Sequence, residues 1–553
     1  MDKANPIKWI IKRSKKQRVN MALLIFANAL FSVMSILFAF AIKEIIDSAT
    51  VYKSVERLTW YAVGIIGIVV IQFVLRIVVN GLSEHIRGKL EMEYKSHVFA
   101  NVLDKKQDKI SAYHSGELMN RLTSDVSIVA DGFSNILPTV VSAFARLICA
   151  IVALVILDWI FAVAFSIAGI LVFLVITLLR GKLKSLHKKA QETDGKVRSF
   201  MQECIENLLA VKVFAVNDKI EKQAQDLQEE NFKIKMRRKN YSVLGNATYN
   251  FIYSAGYLFA LIYGGIKILS GMSYGTLSAI LQLVNNVQVP FASLSNVLPK
   301  YYSMIASAER LIEIEEIESE PVKTPIDKRE LYSKMKGFDF SNVDFSYEHE
   351  KVLSGANFFI NKGDFVVIEG RSGVGKSTLM KLMLGVYEVN GGCISIQTDD
   401  SNIELDNGTR TLFAYVPQGN MLFSGTLKEN VTFIKQNATE QEIERALKIS
   451  CADEFVSALP LGLNTVVGEH GVGLSEGQIQ RIAIARAVLC DCPVILLDEA
   501  TSALDEETER KLLDNLKTLS DVTLIMVSHK KASANICNRK IKIKSGKIIE
   551  DLI

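Results

Sequence analysis

Proline is scarce in this chain, with 9 among 553 residues, and the stretches 80–133 and 180–245 have none. With no proline to remove a backbone donor, few glycines and apolar residues at helical spacing, both stretches are predicted to run as helices rather than loops. Excess charge is also missing. The net charge is +4, which argues against bulk nucleic-acid binding. Seven cysteines are scattered, and the one close pair, Cys490 and Cys492, lacks a second pair to complete a zinc site. They read as ordinary reduced thiols. The basic arm Lys12, Arg13, Lys15, Lys16 and Arg18 precedes an apolar run with no A-x-A cleavage pattern, so that run reads as a retained membrane span rather than a signal peptide.

What is abundant is apolar length. At 553 residues the chain is too long for one core, and 49% of it is hydrophobic, concentrated in the first 300 residues. Six spans are expected, at about 21–42, 58–79, 136–157, 159–179, 248–270 and 275–298. The third and fourth meet at Asp158–Trp159, a tight turn. An even number of spans puts both termini on one side, and the Lys/Arg-rich segments between spans 2 and 3 and between 4 and 5 make that side the cytoplasm. Each long excursion must turn back, and a short helix is expected at each turn, at 106–117 (KQDKISAYHSGE) and at 195–216. The alternative is plain coil. Inside the spans lie Gln72, Arg76 and Arg146. In the sixth, Gln282, Asn285, Asn286, Ser293 and Asn296 share a face, with Pro290 suggesting a kink. These groups either face a wet cavity or bond between helices, and Arg76 is near enough to a span end to snorkel.

The character changes near residue 315. A charged stretch with Pro321 and Pro325 reads as a linker over 319–336, and β-branched runs then alternate with helical segments, an α/β domain over 337–553. The strand pattern DFVVIE leads into GRSGVGKST at 370–378, a phosphate loop in its required strand–loop–helix setting. Backbone N–H groups wrap phosphates there, Lys376 reaches the β- and γ-phosphates of a nucleotide, and the Ser377 hydroxyl ligates Mg²⁺. The strand at 493–497 ends in Asp498, which can support Mg²⁺, and Glu499, which can orient or deprotonate water. The strand at 522–527 ends in Ser528 and His529. Ligands of open α/β sheets bind at that strand edge. LSEGQIQR, 474–481, reads as a second anion-binding helix start, with Ser475 as cap and Gln478 completing a capping box.

The order GRSGVGKST, VPQGN, LSEGQIQR, VILLDEATSALD and SHK resembles the ATP-binding cassette (ABC) ATPases over 337–553. With six spans ahead, GELMNRLTSD, IENLLAVKVF and ASAERLIEI extend the resemblance to the exporter-type half-transporters and nearly the whole chain. The resemblance implies a membrane all-α six-helix bundle followed by an α/β P-loop ATPase domain. It also implies a dimer in which each ATP lies between one chain's phosphate loop and the partner's signature helix. On that pattern Gly370, Ser372, Gly373, Gly375, Lys376, Ser377 and Thr378 bind ATP in cis, and Ser475, Gly477 and Gln478 in trans. Gln418 senses Mg²⁺ and water, Asp498 supports the metal, Glu499 is the catalytic carboxylate and His529 contacts the γ-phosphate. Tyr347 stacks on adenine, and Asp505 speaks across the interface. Glu476 departs from the usual glycine pair, and an outward-pointing side chain is expected.

The implied function is ATP-driven export of a peptide, lipid or amphipathic small molecule by alternating access, as a homodimer in a lipid membrane. The polar groups in the spans lean toward a polar or anionic peptide. The lack of a targeting extension suits a bacterial plasma membrane. The alternatives are half of a heterodimer with one degenerate site and an ATP-gated, non-pumping membrane protein. Six spans exclude a soluble repair or translation ATPase.

Overall fold

Long helices with almost no breaks dominate the first of two structural units. The computed structural model describes residues 5–347, 350–419, 422–468, 473–519, 521–530, 533, 536–544 and 546–552, and leaves aside the side chains of 173, 176, 177, 179, 180, 184, 292, 295, 296 and 550–552. Unit 1 comprises Met1–Leu103 and His114–Glu316; unit 2 comprises Asp104–Tyr113 and Ile317–Ile553.

In unit 1 the principal helices are Arg18–Thr50, Val55–Leu103, Val126–Leu157, Trp159–Glu206, Asn217–Leu269 and Tyr274–Glu316. The 53-residue helix Asn217–Leu269 spans about 80 Å at the α-helical rise, well beyond a bilayer core of about 30 Å. Among the described residues, four helices are long and apolar enough to cross a membrane, and Trp159–Val172 is a shorter apolar one. Side chains such as Trp60, Val63, Ile66 and Phe73 are more than 60% exposed, which suits a helix face turned toward lipid rather than water. Asp158 caps the helix Trp159–Glu206 by accepting from the Ile160 amide at 2.9 Å.

The polar face of Tyr274–Glu316 is engaged between helices. Ser35 donates to Asn286 at 2.9 Å and Tyr253 to Asn285 at 2.7 Å. The side chain of Asn296 lies outside the described residues. The helix continues through Pro290 and Pro299. Gly275 at its start is set by contact: a Cβ there would lie 2.4 Å from the Lys43 carbonyl and from the Asp47 carboxylate, which accepts from the Gly275 amide at 3.1 Å.

The expected turn and short helix at 195–216 are present, and the structure narrows them. Residues 195–206 stay in the helix Trp159–Glu206, because neither Gly195 nor its neighbours supply a break. The chain turns at Asn207, and the short helix is Leu208–Val213. The turn at 106–117 holds one short helix, Gln107–Ile110, and Ser115 already begins the next.

In unit 2 a six-stranded sheet runs in the order Lys547–Leu552, Arg539–Lys544, Phe365–Glu369, Thr523–Val527, Val494–Asp498, Phe413–Val416. The five strands from Arg539–Lys544 to Phe413–Val416 are parallel, and only the outer pair is antiparallel. Val494–Asp498 and Thr523–Val527 are buried along their length, as helix-covered parallel strands must be. An antiparallel sheet of Glu350–Asn361, Met335–Tyr347, Gly391–Thr398 and Asn402–Glu404 shares a core with it, including Phe338, Phe340, Val366, Leu379, Leu496 and Ile525. A separate helical core gathers Leu427, Ile443, Ile482 and Ala485 around the helix Glu476–Leu489. Because Gln107–Ile110 belongs to this unit, its setting is part of the same body. Lys106 pairs with Glu318 at 2.6 Å and Glu388 at 2.9 Å, and these carboxylates hold its ammonium well above its ordinary pKa.

Candidate ATP-hydrolysing site

Parallel strands deliver their C-terminal ends to one edge, and four of them carry the site there. Phe365–Glu369 passes into the phosphate loop, Phe413–Val416 leads to Gln418, Val494–Asp498 ends in Asp498 and Glu499, and Thr523–Val527 leads to His529. Gly375 caps the helix Lys376–Met383 with φ 105°, a left-handed conformation that favours glycine, and a Cβ there would meet Val352 Cγ1 at 2.2 Å. A Cβ on Gly373 would meet nothing within 4 Å, so the loop is open on that side to the approach of a phosphate. Ser372 is exposed beside it. The Lys376 ammonium donates to the Gly370 and Arg371 carbonyls at 2.9 and 3.0 Å, which stretches the side chain along its own loop.

Two constellations form at the edge. In the first, Ser377 Oγ donates to Asp498 Oδ1 at 3.0 Å and Tyr415 OH to Asp498 Oδ2 at 3.2 Å. Asp498 is 1% exposed. Burial pushes its carboxyl above its ordinary pKa, against the opposing pull of the two hydroxyl donors. A buried carboxylate beside a hydroxyl is a donor set that fits a hard divalent cation. In the second, Gln418 Nε2 donates to Glu499 Oε2 at 2.7 Å, and His529 Nε2 stands 3.9 Å from Glu499 Oε1. Glu499 has φ 52°, and such a left-handed non-glycine residue costs about 1–3 kcal/mol, which is characteristic of functional sites. Its amide is held by the Val527 carbonyl at 3.2 Å.

Tyr347 lies edge-on to Phe345 and Tyr387 and shares a hydrogen bond with Thr378 at 3.2 Å. Ser475, Gly477 and Gln478 gather elsewhere, at the start of Glu476–Leu489. The capping box is formed there: Ser475 Oγ accepts from the Gln478 amide at 3.3 Å, and Gln478 Oε1 accepts from the Ser475 amide at 2.9 Å. Glu476 at the first helical position is exposed. Gly477 is set by packing, since a Cβ would meet the Ala503 carbonyl at 3.0 Å. Asp505 caps Glu506–Lys517 through the Thr508 amide at 2.9 Å, and this donor holds its carboxyl below the usual range.

Sequence reasoning missed the residues that tie these segments together. Lys530, next to His529, donates to the Thr501 and Leu504 carbonyls at 2.8 and 2.5 Å, and pairs with the fully buried Glu509 at 3.5 Å. Glu509 also accepts from Thr501 Oγ1 and Ser533 Oγ. Gln480 donates to Ser502 Oγ and accepts from the Ala503 amide, joining the helix Glu476–Leu489 to the same loop. Lys530 stands in the quoted SHK, but only the fold shows what it holds.

A nucleotide-type phosphate loop, a carboxylate pair at the strand edge beside it and an apolar helical unit define an ATP-hydrolysing membrane protein. Residues 21–291 match the family model of the ABC transporter transmembrane region, and residues 353–502 the family model described as ABC transporter. The chain belongs to the ABC transporters. It is 29% identical over 562 residues to an ATP-dependent lipid A-core flippase of Desulfotalea psychrophila, covering 98% of this chain and 96% of that protein. It is 27% identical to flippases of the same name from Pectobacterium atrosepticum, with 92% and 88% covered, and Syntrophus aciditrophicus, with 96% and 88%. A bacterial Atm1-family ABC exporter with ATP bound has the same fold, with TM-score 0.82, 21% identity, and 97% of this chain and 95% of that one covered. The chain is an integral membrane protein with an exporter fold, and its ATPase drives export.

Proposed function

We propose that two copies of this chain form an exporter that moves an amphiphilic lipid with an anionic head group across a bacterial plasma membrane. In this reading residues 1–318 cross the membrane six times, 319–336 link, and 337–553 hydrolyse ATP in the cytoplasm. The observation that carries the reaction is the meeting of Gln418, Glu499 and His529 beside Ser377 and Asp498. Lys376 places its charge on the β- and γ-phosphates of ATP. Ser377, Asp498 and Gln418 would hold Mg²⁺, which when bound neutralises charge on the transferring phosphoryl group. Glu499 accepts a proton from the attacking water, Gln418 fixes that carboxylate, and His529 supports the γ-phosphate. Ser475, Gly477 and Gln478 of the second copy close the site, so ATP favours the paired state and biases the membrane helices.

The lipid reading is supported by the relatives' names and by Arg146. That guanidinium lies within the apolar helix Val126–Leu157 and, among the described residues, makes no hydrogen bond or ion pair. An intramembrane cation favours an anionic ligand. Asn285 and Asn286, which suggested a peptide, are engaged with Tyr253 and Ser35. The test is ATP hydrolysis in nanodiscs with added phosphorylated multi-acyl lipid. Stimulation is expected, with its half-maximal concentration raised by Arg146→Ala; stimulation by a neutral or dephosphorylated analogue alone would count against the head-group assignment.

A further inference from the structure

Between the signature helix and the strand that carries Asp498 and Glu499 lies the turn Cys490–Asp491–Cys492, to which the ATPase reading gives no part. Cys490 is the C-cap of Glu476–Leu489, Asp491 has φ 52°, and Cys492 is followed by Pro493 and the buried strand Val494–Asp498. The left-handed residue folds the turn back on itself, so that Cys492 Sγ lies 3.2 Å from Cys490 Sγ. Lys328, the first residue of the helix Lys328–Lys334, donates to the Cys490 carbonyl at 2.8 Å and stands 3.8 Å from Cys492 Sγ. Arg329 pairs with Asp491 at 2.8 Å. Cys490 is partly exposed and Cys492 is buried.

We propose that Cys490 and Cys492 form a reversible dithiol switch, oxidised by a hydroperoxide to an intraloop disulfide that slows ATP hydrolysis. Closing the bond brings the two sulfurs from 3.2 Å to about 2.05 Å, a movement within reach of the turn alone. The roles divide by exposure: Cys490 meets the oxidant, and Cys492 resolves. The hydrogen bond from Cys492, followed by the charge of Lys328, brings the Cys490 thiol down to about 7 against the opposing effect of burial, while the same partnership and burial push Cys492 up. The Cys490 thiolate attacks the peroxide O–O bond, forming a sulfenic acid and releasing an alkoxide or hydroxide that takes up a proton. Cys492, losing its proton, then attacks the sulfenic sulfur, and the S–S bond forms as water leaves. Two thiols and one hydroperoxide thus give one disulfide, one alcohol or water, and one further water. The ring tightens the only covalent link between the signature helix and Glu499, which is how the bond acts on rate.

The effect on rate rests on Glu499 as the hydrolytic carboxylate, whereas the thiol chemistry is read separately. The full chain in nanodiscs is treated with hydrogen peroxide, alkylated and digested. The expected 490–492 peptide is lighter by two hydrogens and unalkylated, and dithiothreitol restores both thiols. ATPase is expected to fall by roughly 3- to 30-fold and to recover with the reductant. Cys492→Ser and Cys490→Ala should each keep basal activity and lose this reversible response. Two alkylatable thiols after peroxide, or a Cys490 sulfinic acid without disulfide, would overturn the switch. A disulfide without change of rate, or an equal rate loss in Cys492→Ser, would overturn its regulatory role.

Discussion

Glu499 is held from three directions at once, by Gln418, by the Val527 carbonyl and by its own left-handed backbone, with His529 standing near its second oxygen. Removing its charge while keeping its shape isolates proton acceptance. Glu499→Gln should lower ATP turnover by about 10²- to 10⁴-fold while ATP binding persists, as measured by steady-state hydrolysis and equilibrium nucleotide binding. Asp498 gives a pH statement with a definite sign. Its folded pKa is raised by burial, so its contribution is fully present below the unfolded value near about 3.9 and is lost as pH rises through the folded value. At pH 7 the ionised group therefore costs stability. Asp498→Asn should melt at the same or a higher temperature than the parent without Mg²⁺ and lose the upward shift that Mg²⁺ and ATP give the parent. Glu476 is exposed at the first turn of its helix, where the capping box is made by Ser475 and Gln478, and Glu476→Gly should change ATPase by less than about tenfold.

At the scale of elements, what was legible in the sequence was whatever lies within one strand–loop–helix unit. The phosphate loop, the carboxylates at the end of Val494–Asp498 and the capping box at Ser475 are local patterns with local causes. The links between units were not legible. Tyr415 reaches Asp498 only because Phe413–Val416 and Val494–Asp498 pair in parallel, and Lys530 meets the 501–504 carbonyls only after the crossover through Glu506–Lys517. The turn at Asn207 lies inside the expected 195–216, but its exact place was not legible, because a glycine such as Gly195 is tolerated inside a long helix. Lys530→Ala should leave the protein folded yet slow hydrolysis, with a larger effect on kcat than on KM for ATP, because it loosens the loop beside His529 rather than the phosphate loop. A capping-box change at the N-cap of the helix Glu440–Ile449, outside the residues assigned to ATP, serves as the contrast. Thr439→Ala should cost about 1 kcal/mol of stability, seen by chemical denaturation, with ATPase per folded molecule unchanged.

For the whole molecule, the six-span count and domain boundaries rest on hydropathy, while the family follows from motif order and the two matched regions together. The substrate was beyond the sequence alone, because an apolar bundle with a few polar groups suits peptides, lipids and drugs alike. The central claim is that one chain carries two half-sites and that its own second copy completes them. The most direct test is ATP hydrolysis per chain in nanodiscs separated into those with one copy and those with two. Activity confined to two-copy discs is predicted, and it should vanish in Glu499→Gln. Equal activity per chain in one-copy discs would contradict the composite site, and folded, ATP-binding protein inactive in both would contradict the homodimer.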